Sequence, residues 1–330
     1  MKVSVCIPTF NQAHCLQNCI NSVLAQSLLP CEIIISNDAS TDNTATVLTM
    51  LKRKTTLLKV IHQPGNTGIT ANVNACFKQA MGDYIVRLDS DDLLLPGYIR
   101  YLSGLLNRHP MAGYAHCAVQ EINEHEQVLR IRSLFRQDAF ETGETALKRC
   151  LKGYRVSANI IMFRKKALQE TGFLQCPSNF AEDYYLAADI AAHGYGNVYT
   201  PAVYACYRVW NNAGRQRMKR KLEEIKGITN VFEEVLEPAF KKRNYAVREV
   251  HKAREYFAVA HANCLSNSMY NENEKMELKA ALLRLSSSVF VRFMIMMYEK
   301  KLYYPLAGFI HLKNNGRLLI KNILQKLQPH

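Results

Sequence analysis

Tyr84-Ile85-Val86-Arg87-Leu88-Asp89-Ser90-Asp91-Asp92 joins a run of strand-forming residues to three carboxylates in four positions. If the strand over Tyr84 to Leu88 leaves the sheet still extended, Asp89 and Asp91 point to one side, because alternate residues share a face. Two carboxylates about 4 Å apart repel by about 4 kcal/mol at an effective dielectric of about 20. A partly buried site relieves that repulsion by protonation or by holding a cation. Mg2+ or Mn2+ sits on one or two carboxylates plus substrate phosphates, so one reading is a divalent-cation site with a diphosphate ligand. The other is an Asp-rich turn that caps a helix starting near Pro96. These nine residues leave both open.

Outward from this stretch the same alternation repeats. Val3 to Ile7 is a β-rich run closed by Pro8, and Asn11 is expected to cap a helix with Leu16, Ile20, Val23 and Leu24 on one face. Glu32 to Ser36 reads as a buried strand, and Asp42 opens a helix bearing Val47, Leu48 and Leu51. Leu58 to Ile61 is a third strand, followed by the turn Pro64-Gly65-Asn66-Thr67-Gly68 and a helix over Val73, Phe77, Ala80 and Met81. Strands alternating with helices predict crossover connections, hence an α/β fold with a mostly parallel sheet flanked by helices. Weaker strands are expected from Gly113 to Val128, then an apolar run from Val156 to Phe163 and a helix ending near Gly172. A helix from Ala181-Glu182-Asp183 to Gly194 and strands at Val198 to Tyr199 and Val203 to Val209 complete this part.

Ligands of such sheets bind outside the carboxyl ends of the strands. Asp38 lies at one exit, where its carboxylate could accept a hydrogen bond from a nucleobase N–H or simply close an Asx-turn. Asn66 and Gly68 lie at another, and their turn matches neither G-x-G-x-x-G nor G-x-x-x-x-G-K-[ST], which argues against hydride transfer and a P-loop. Glu182 and Asp183 open a helix whose dipole favours their ionised forms, so either a general base or ordinary helix-end charge placement is compatible with them.

The chain of 330 residues carries a formal net charge of +14, which attracts nucleic acid, anionic lipid or phosphate-bearing ligands without choosing among them. Its ten cysteines include no C-x-x-C pair and are read as reduced thiols; Cys15 and Cys19 lack two further ligands for a zinc site. Met1-Lys2 runs straight into an apolar strand, so a signal peptide is not expected. Val289 to Tyr298 is interrupted by Arg292 and is too short to span a bilayer.

Taken together, the segments resemble glycosyltransferase family 2, whose members have the GT-A fold. The resemblance lies in Ser4-Val5-Cys6-Ile7-Pro8-Thr9-Phe10-Asn11, Ser36-Asn37-Asp38-Ala39-Ser40-Thr41-Asp42, and Asn66-Thr67-Gly68 with Asn74. It continues in Ala80-Met81-Gly82-Asp83-Tyr84-Ile85, Leu88-Asp89-Ser90-Asp91-Asp92, Glu182-Asp183 and Tyr207-Arg208, in order and spacing over roughly the first 210 residues. It implies a Rossmann-like GT-A sheet and a nucleotide-diphosphate sugar as donor. Pro8, Thr9, Asn11, Asp38, Asn66, Gly68, Asn74, Ser90 and Arg208 would contact that donor. Asp89 and Asp91 would hold its ribose and its diphosphate, the latter through Mn2+ or Mg2+. Asp183 would be the general base, and the product would have inverted anomeric configuration. Bacterial members assemble surface polysaccharide, so the acceptor is expected to be a glycan or a lipid-linked glycan.

Four positions depart from the family's habit. Asn37 stands where many members have Asp, and Val73 where an Arg often precedes the Asn. Asp189 stands where Arg is common, and Trp210 where a His often contacts metal or phosphate. Arg215 and Arg217 read as a solvated basic face or as further contacts to the diphosphate.

The expected organisation is a catalytic domain over 1–213, with a nucleotide-binding half over 1–110 and an acceptor-binding half over 111–213, followed by a basic helical region over 214–330. The last forty residues mix Phe293, Met294, Ile295, Tyr303, Tyr304, Leu318, Leu319 and Ile323 with basic residues. Such helices pack on the catalytic domain or lie on an anionic bilayer. The expected place is therefore the cytoplasm, at the inner face of the cytoplasmic membrane if the second reading holds. Nucleic acid is not an expected partner, because no recognition module accompanies the charge. The rival function is a catalytically silent nucleotide-sugar or polysaccharide-binding protein that kept the fold.

Overall fold

The computed structural model describes residues 2–136 and 139–302. Val3–Thr9 (β1), Ala13–Leu24 (α1), Glu32–Asn37 (β2), Thr44–Lys52 (α2), Leu58–His62 (β3), Ile69–Gln79 (α3) and Tyr84–Arg87 (β4) alternate as expected. Every residue of β1, β2 and β4 is buried, which is why these strands read as nearly unbroken apolar runs. They pair in the order β3-β2-β1-β4, all parallel.

The sheet then changes character. Leu93–Leu94 (β5), Tyr98–Arg108 (α4), Ala112–Ile122 (β6), Val128–Arg132 (β7), Phe140–Glu141 (β8) and Gly143–Cys150 (α5) come next. Ile161–Arg164 (β9), Lys165–Glu170 (α6), Glu182–Ala192 (α7) and Gly196–Arg208 (β10) follow. β9 lies antiparallel between β4 and β6, β6 and β10 are parallel, and β5, β7 and β8 pair antiparallel. Parallel pairing thus runs through the first 87 residues and recurs between β6 and β10, and the sheet as a whole is mixed. Two strands were expected between Val198 and Val209, but β10 is one strand of 13 residues. Its register slips near Pro201, which cannot donate to the ladder. One continuous core containing Ile7, Leu16, Ile20, Ile33, Ile35, Leu102, Ala115 and Met162 joins both halves. Each of the leucine, isoleucine and methionine side chains contributes about 1.5–3 kcal/mol through burial.

Ala213–Lys219 (α8), Lys221–Asn230 (α9), a π-helical turn over Val231–Leu236, Glu237–Lys242 (α10) and Val247–His261 (α11) follow β10. The chain divides into two compact units, Met1–Val250 and His251–His330. This corrects the boundary expected after Ala213. Ile225, Ile228, Val231, Phe232 and Val235 are buried, and α9 with the π turn packs on α7. Gly227 permits that approach, because a Cβ there would collide with the carbonyl oxygen of Phe180.

Within the second unit, Glu272–Leu285 (α12) opens on a capping box between Asn271 and Glu274, and Ser288 caps Val289–Glu299 (α13). No helix among the described residues is long and apolar enough to cross a membrane. Tyr303, Tyr304, Leu318, Leu319 and Ile323 lie outside the described residues.

Candidate active site

The carboxyl ends of β1, β2 and β4 open onto a cleft of about 520 Å³. Pro8 and Thr9 from β1, Asp38 after β2, Asn66 and Gly68 from the Gly-rich turn, and Asp89, Ser90 and Asp91 after β4 all line it. Three residues with left-handed backbone, Asn11 (φ 53°), Ala39 (φ 55°) and Ala181 (φ 61°), stand beside these segments. Such conformations cost energy in non-glycine residues and gather at functional sites.

Asp38 is buried and fully engaged. Its Oδ1 accepts from the Thr67 amide (2.8 Å) and hydroxyl (2.7 Å), and its Oδ2 accepts from the Gly68 amide (2.9 Å). The carboxylate therefore pins the Gly-rich turn against β2. At Gly68, φ is +84°, a conformation that favours glycine, and a Cβ there would also displace the end of the Asn179 side chain.

The acidic loop does not cap α4, whose N-cap is Gly97. Instead it is fastened to β10. Asp92 Oδ1 accepts from the Arg208 amide (2.8 Å), Arg208 Nε donates to the Asp91 carbonyl (2.8 Å), and Trp210 Nε1 donates to Asp91 Oδ2 (2.8 Å). Burial pushes the Asp91 carboxyl up and the charge of Asp89 adds to this, while the Trp210 bond opposes it. Asp92 is raised further by burial, then by Asp91 and Asp89, and its Oδ2 has no hydrogen-bond partner.

On the other side of Asp89 a buried cation organises the site. Arg87 Nε donates to Asp89 Oδ1 and its Nη2 to Glu182 Oε1, both at 3.1 Å, with 3% of the Arg87 side chain exposed. Despite burial, the charges of Asp89, Glu182 and Asp183 push its pKa up. Glu182 and Asp183 form the first turn of α7. The Asp183 pKa is pushed up to about 6 by burial first and Glu182 second, against the pull of Arg87 and a hydrogen bond from Asn159. Its Oδ1 accepts from the Tyr184 amide at 2.7 Å.

Three residues expected to touch a donor are not among those lining the cleft and hydrogen-bond to the scaffold. Asn11 Oδ1 accepts from the Thr41 amide (2.8 Å), tying the exits of β1 and β2 together, and the helix N-cap is Gln12. Asn74 exchanges two bonds with the backbone of Leu174, at 2.7 and 3.0 Å. The Arg208 guanidinium reaches the carbonyls of Asp91 and Asn123 and the Glu126 carboxylate, so it clamps the acidic loop to the β6–β7 turn.

Arg217 is exposed, as a basic face would be, and also pairs with the buried Glu224. The sequence reading missed Gln12, Asn72, Asn179, Arg220 and Glu223, all of which line the cleft. Thr9 Oγ1, Gln12 Oε1 and Asn72 Oδ1 are buried polar atoms with no hydrogen-bond partner, which is costly unless a ligand or water supplies one. Gln12 and Asn72 adjoin segments that were read, but nothing in their spacing marked them.

A sheet of this order, with a cleft at its carboxyl ends and carboxylates after β4 and at the start of α7, has the GT-A architecture of glycosyltransferases. Residues 4–172 match "Glycosyl transferase family 2", and the chain belongs to that family. Over 94 residues it is 42% identical to "Chondroitin synthase" of Pasteurella multocida, which is 28% of this chain and 10% of that protein. The chain matches 10% to 36% of the length of such curated relatives.

In fold it is similar to S. aureus TarS in complex with UDP-GlcNAc, with a TM-score of 0.67 and 18% identity. That likeness covers 91% of this chain and 89% of the other. It is also similar to the mannosyltransferase PcManGT from Pyrobaculum calidifontis in complex with GDP-Man and Mn2+. There the TM-score is 0.56 at 18% identity, over 90% of this chain and 84% of the other.

Proposed function

We propose that the protein is an inverting glycosyltransferase that moves a hexosyl or N-acetylhexosaminyl unit from a nucleotide-diphosphate sugar to a hydroxyl of a glycan or lipid-linked glycan, in surface-polysaccharide synthesis. The observation that carries this reading is Arg87, which links the donor-side Asp89 to Glu182 beside Asp183. Glu182 is buried and neutralised by that cation. Asp183 is the carboxylate left with a pKa near 6, suited to take a proton at neutral pH. As the acceptor oxygen attacks the anomeric carbon from the face opposite the diphosphate, the hydroxyl proton passes to Asp183 and the bond to the diphosphate breaks. Thr9, Gln12 and Asn72 offer their unpartnered oxygens to hydrogen-bond donors of the nucleotide.

The residues present fit a hard divalent cation. Asp89 and Asp91 each have one oxygen engaged by a neighbouring side chain, and their mutual repulsion in a buried loop is what a cation relieves. No group of three or more His, Cys, Asp or Glu among the described residues could hold a metal alone, so diphosphate oxygens would complete the shell. Bound there, Mn2+ or Mg2+ would offset charge on the departing diphosphate.

The test is a thermal-shift series of UDP-, GDP- and dTDP-sugars with and without Mn2+, followed by an assay for released nucleotide. One donor at about 100 times its Kd is expected to add about 2.7 kcal/mol, and to do so only with metal. Binding without turnover over any acceptor would favour the silent-protein rival.

Peripheral membrane contact is supported by α13, where Val289, Phe290, Phe293 and Met296 are 39% to 85% exposed along one stripe. Flotation with anionic liposomes is expected, and failure to float would remove this part.

A further inference from the structure

Apart from the donor cleft, β8, the start of α5 and the segment after α5 enclose a second cavity of about 470 Å³. Among the described residues on its wall are Arg136, Arg149, Lys152 and Arg155, with Glu141 as the lone carboxylate. Arg136 is fixed by Asn197, to whose Oδ1 its Nη1 donates at 2.6 Å. Arg149 Nη1 approaches Glu141 Oε1 at 2.6 Å. The side chains of Lys152 and Arg155 have neither hydrogen-bond nor ion-pair partner among the described residues, so positive charge is left over at the rim.

Glu141 itself is 8% exposed. Its Oε2 accepts from Asn197 Nδ2 at 2.9 Å, while its Oε1, despite the charge contact with Arg149, lacks a well-aligned donor. Phe140, half-buried and stacked on His109 with ring centroids 5.1 Å apart, adds an apolar wall. Unpaired cations, a buried acceptor and an aromatic wall around one concavity fit a ligand with an anionic group, hydroxyl donors and apolar C–H faces. An anionic saccharide has all three.

We propose that this cavity binds an anionic saccharide unit, a sugar phosphate or a uronate, as a second site beyond the donor cleft. Lys152 and Arg155 take the anion, and Glu141 Oε1 accepts from a sugar hydroxyl. The choice of a saccharide rests on the transferase reading, whereas the choice of an anion does not. The segment that carries Lys152 and Arg155 also carries Tyr154, whose hydroxyl donates to Asn159 Oδ1 at 3.2 Å, and Asn159 is the hydrogen-bond donor to Asp183. A saccharide seated in the cavity therefore touches the segment that shapes the surroundings of the base, as a charged unit of a growing acceptor would.

The test is calorimetric titration of the full chain with glucose 1-phosphate, glucuronate, glucose and inorganic phosphate. It is repeated on the exposed double variant Lys152→Ala/Arg155→Ala, on the donor-cleft variant Asn72→Ala and on Asp183→Asn. One of the two sugar acids is expected to bind at least tenfold more tightly than glucose and than inorganic phosphate, and which one wins tells phosphate from carboxylate. The double variant is expected to lose at least tenfold, with Asn72→Ala and Asp183→Asn unchanged. Equal affinity in the double variant, or loss in Asn72→Ala, would overturn the site. Inorganic phosphate binding as tightly as either sugar acid would overturn the saccharide. Absent sugar transfer with this binding retained would count against the transferase reading alone.

Discussion

Asp183→Asn is expected to lower kcat for sugar transfer by roughly 10²- to 10⁴-fold, the usual worth of a general base, while leaving nucleotide-sugar affinity within about twofold. The same substitution is expected to stabilise the fold. The folded Asp183 pKa of about 6 lies above the ordinary 3.8, so the folded chain binds this proton more tightly than the unfolded chain does. Stability is therefore lost as pH rises from about 4 to about 6 and stays lost above that window. An asparagine carries no such cost, and its amide oxygen can still accept from the Tyr184 amide. Denaturant unfolding is expected to show a gain on the order of 3 kcal/mol at pH 7.5 and none near pH 4. A variant that is inactive because it is less stable would count against the assignment.

Arg87→Met is expected to be the most damaging single change in the site. It leaves Asp89, Glu182 and Asp183 around a place where their cation, itself only 3% exposed, was. Removing one partner of a buried charge group typically costs about 3–5 kcal/mol, because the remaining charges stay desolvated. The loss should be greatest above about pH 6, where Asp183 is ionised, and smaller below it, where Asp183 takes up its proton. Adding Glu182→Gln removes one of the stranded charges and should restore part of the stability. The two changes are then non-additive in a double-mutant cycle. A cost below about 1 kcal/mol, or simple additivity, would mean that Arg87 does not organise the cluster.

The first half of the fold was legible because its strands are buried on both faces and alternate with amphipathic helices, so apolar runs and periods of 3.6 mark their limits closely. β9 and β10 were harder. The apolar run from Val156 yields a strand only over Ile161–Arg164, and β10 passes through Pro201 by slipping register, which no alternation pattern encodes. The boundary after Ala213 was misplaced because a basic, helical stretch resembles an appendage in composition. Its buried face became visible only once α7 supplied the surface for Ile225 and Phe232.

In the site, residues whose type announces chemistry at a strand exit, Asp38, Asp89 and Asp91, fell into one cleft. Asn11, Asn74 and Arg208 occupy motif positions yet spend their hydrogen bonds on the scaffold, a distinction that needs partners and distances rather than spacing. Arg87 was hidden for the opposite reason. A cation inside an apolar strand reads as an irregularity until Glu182, 95 residues later, is seen beside it.

The rate of sugar transfer as a function of pH, at saturating donor and metal, bears most directly on the claim that Asp183 takes the acceptor's proton. A plateau above pH 7 is predicted, falling through a midpoint at about 6 toward tenfold per pH unit on the acid side, with that limb gone from the residual activity of Asp183→Asn. A rate that stays flat from pH 5 to 8, or an acid limb that survives the substitution, would contradict it.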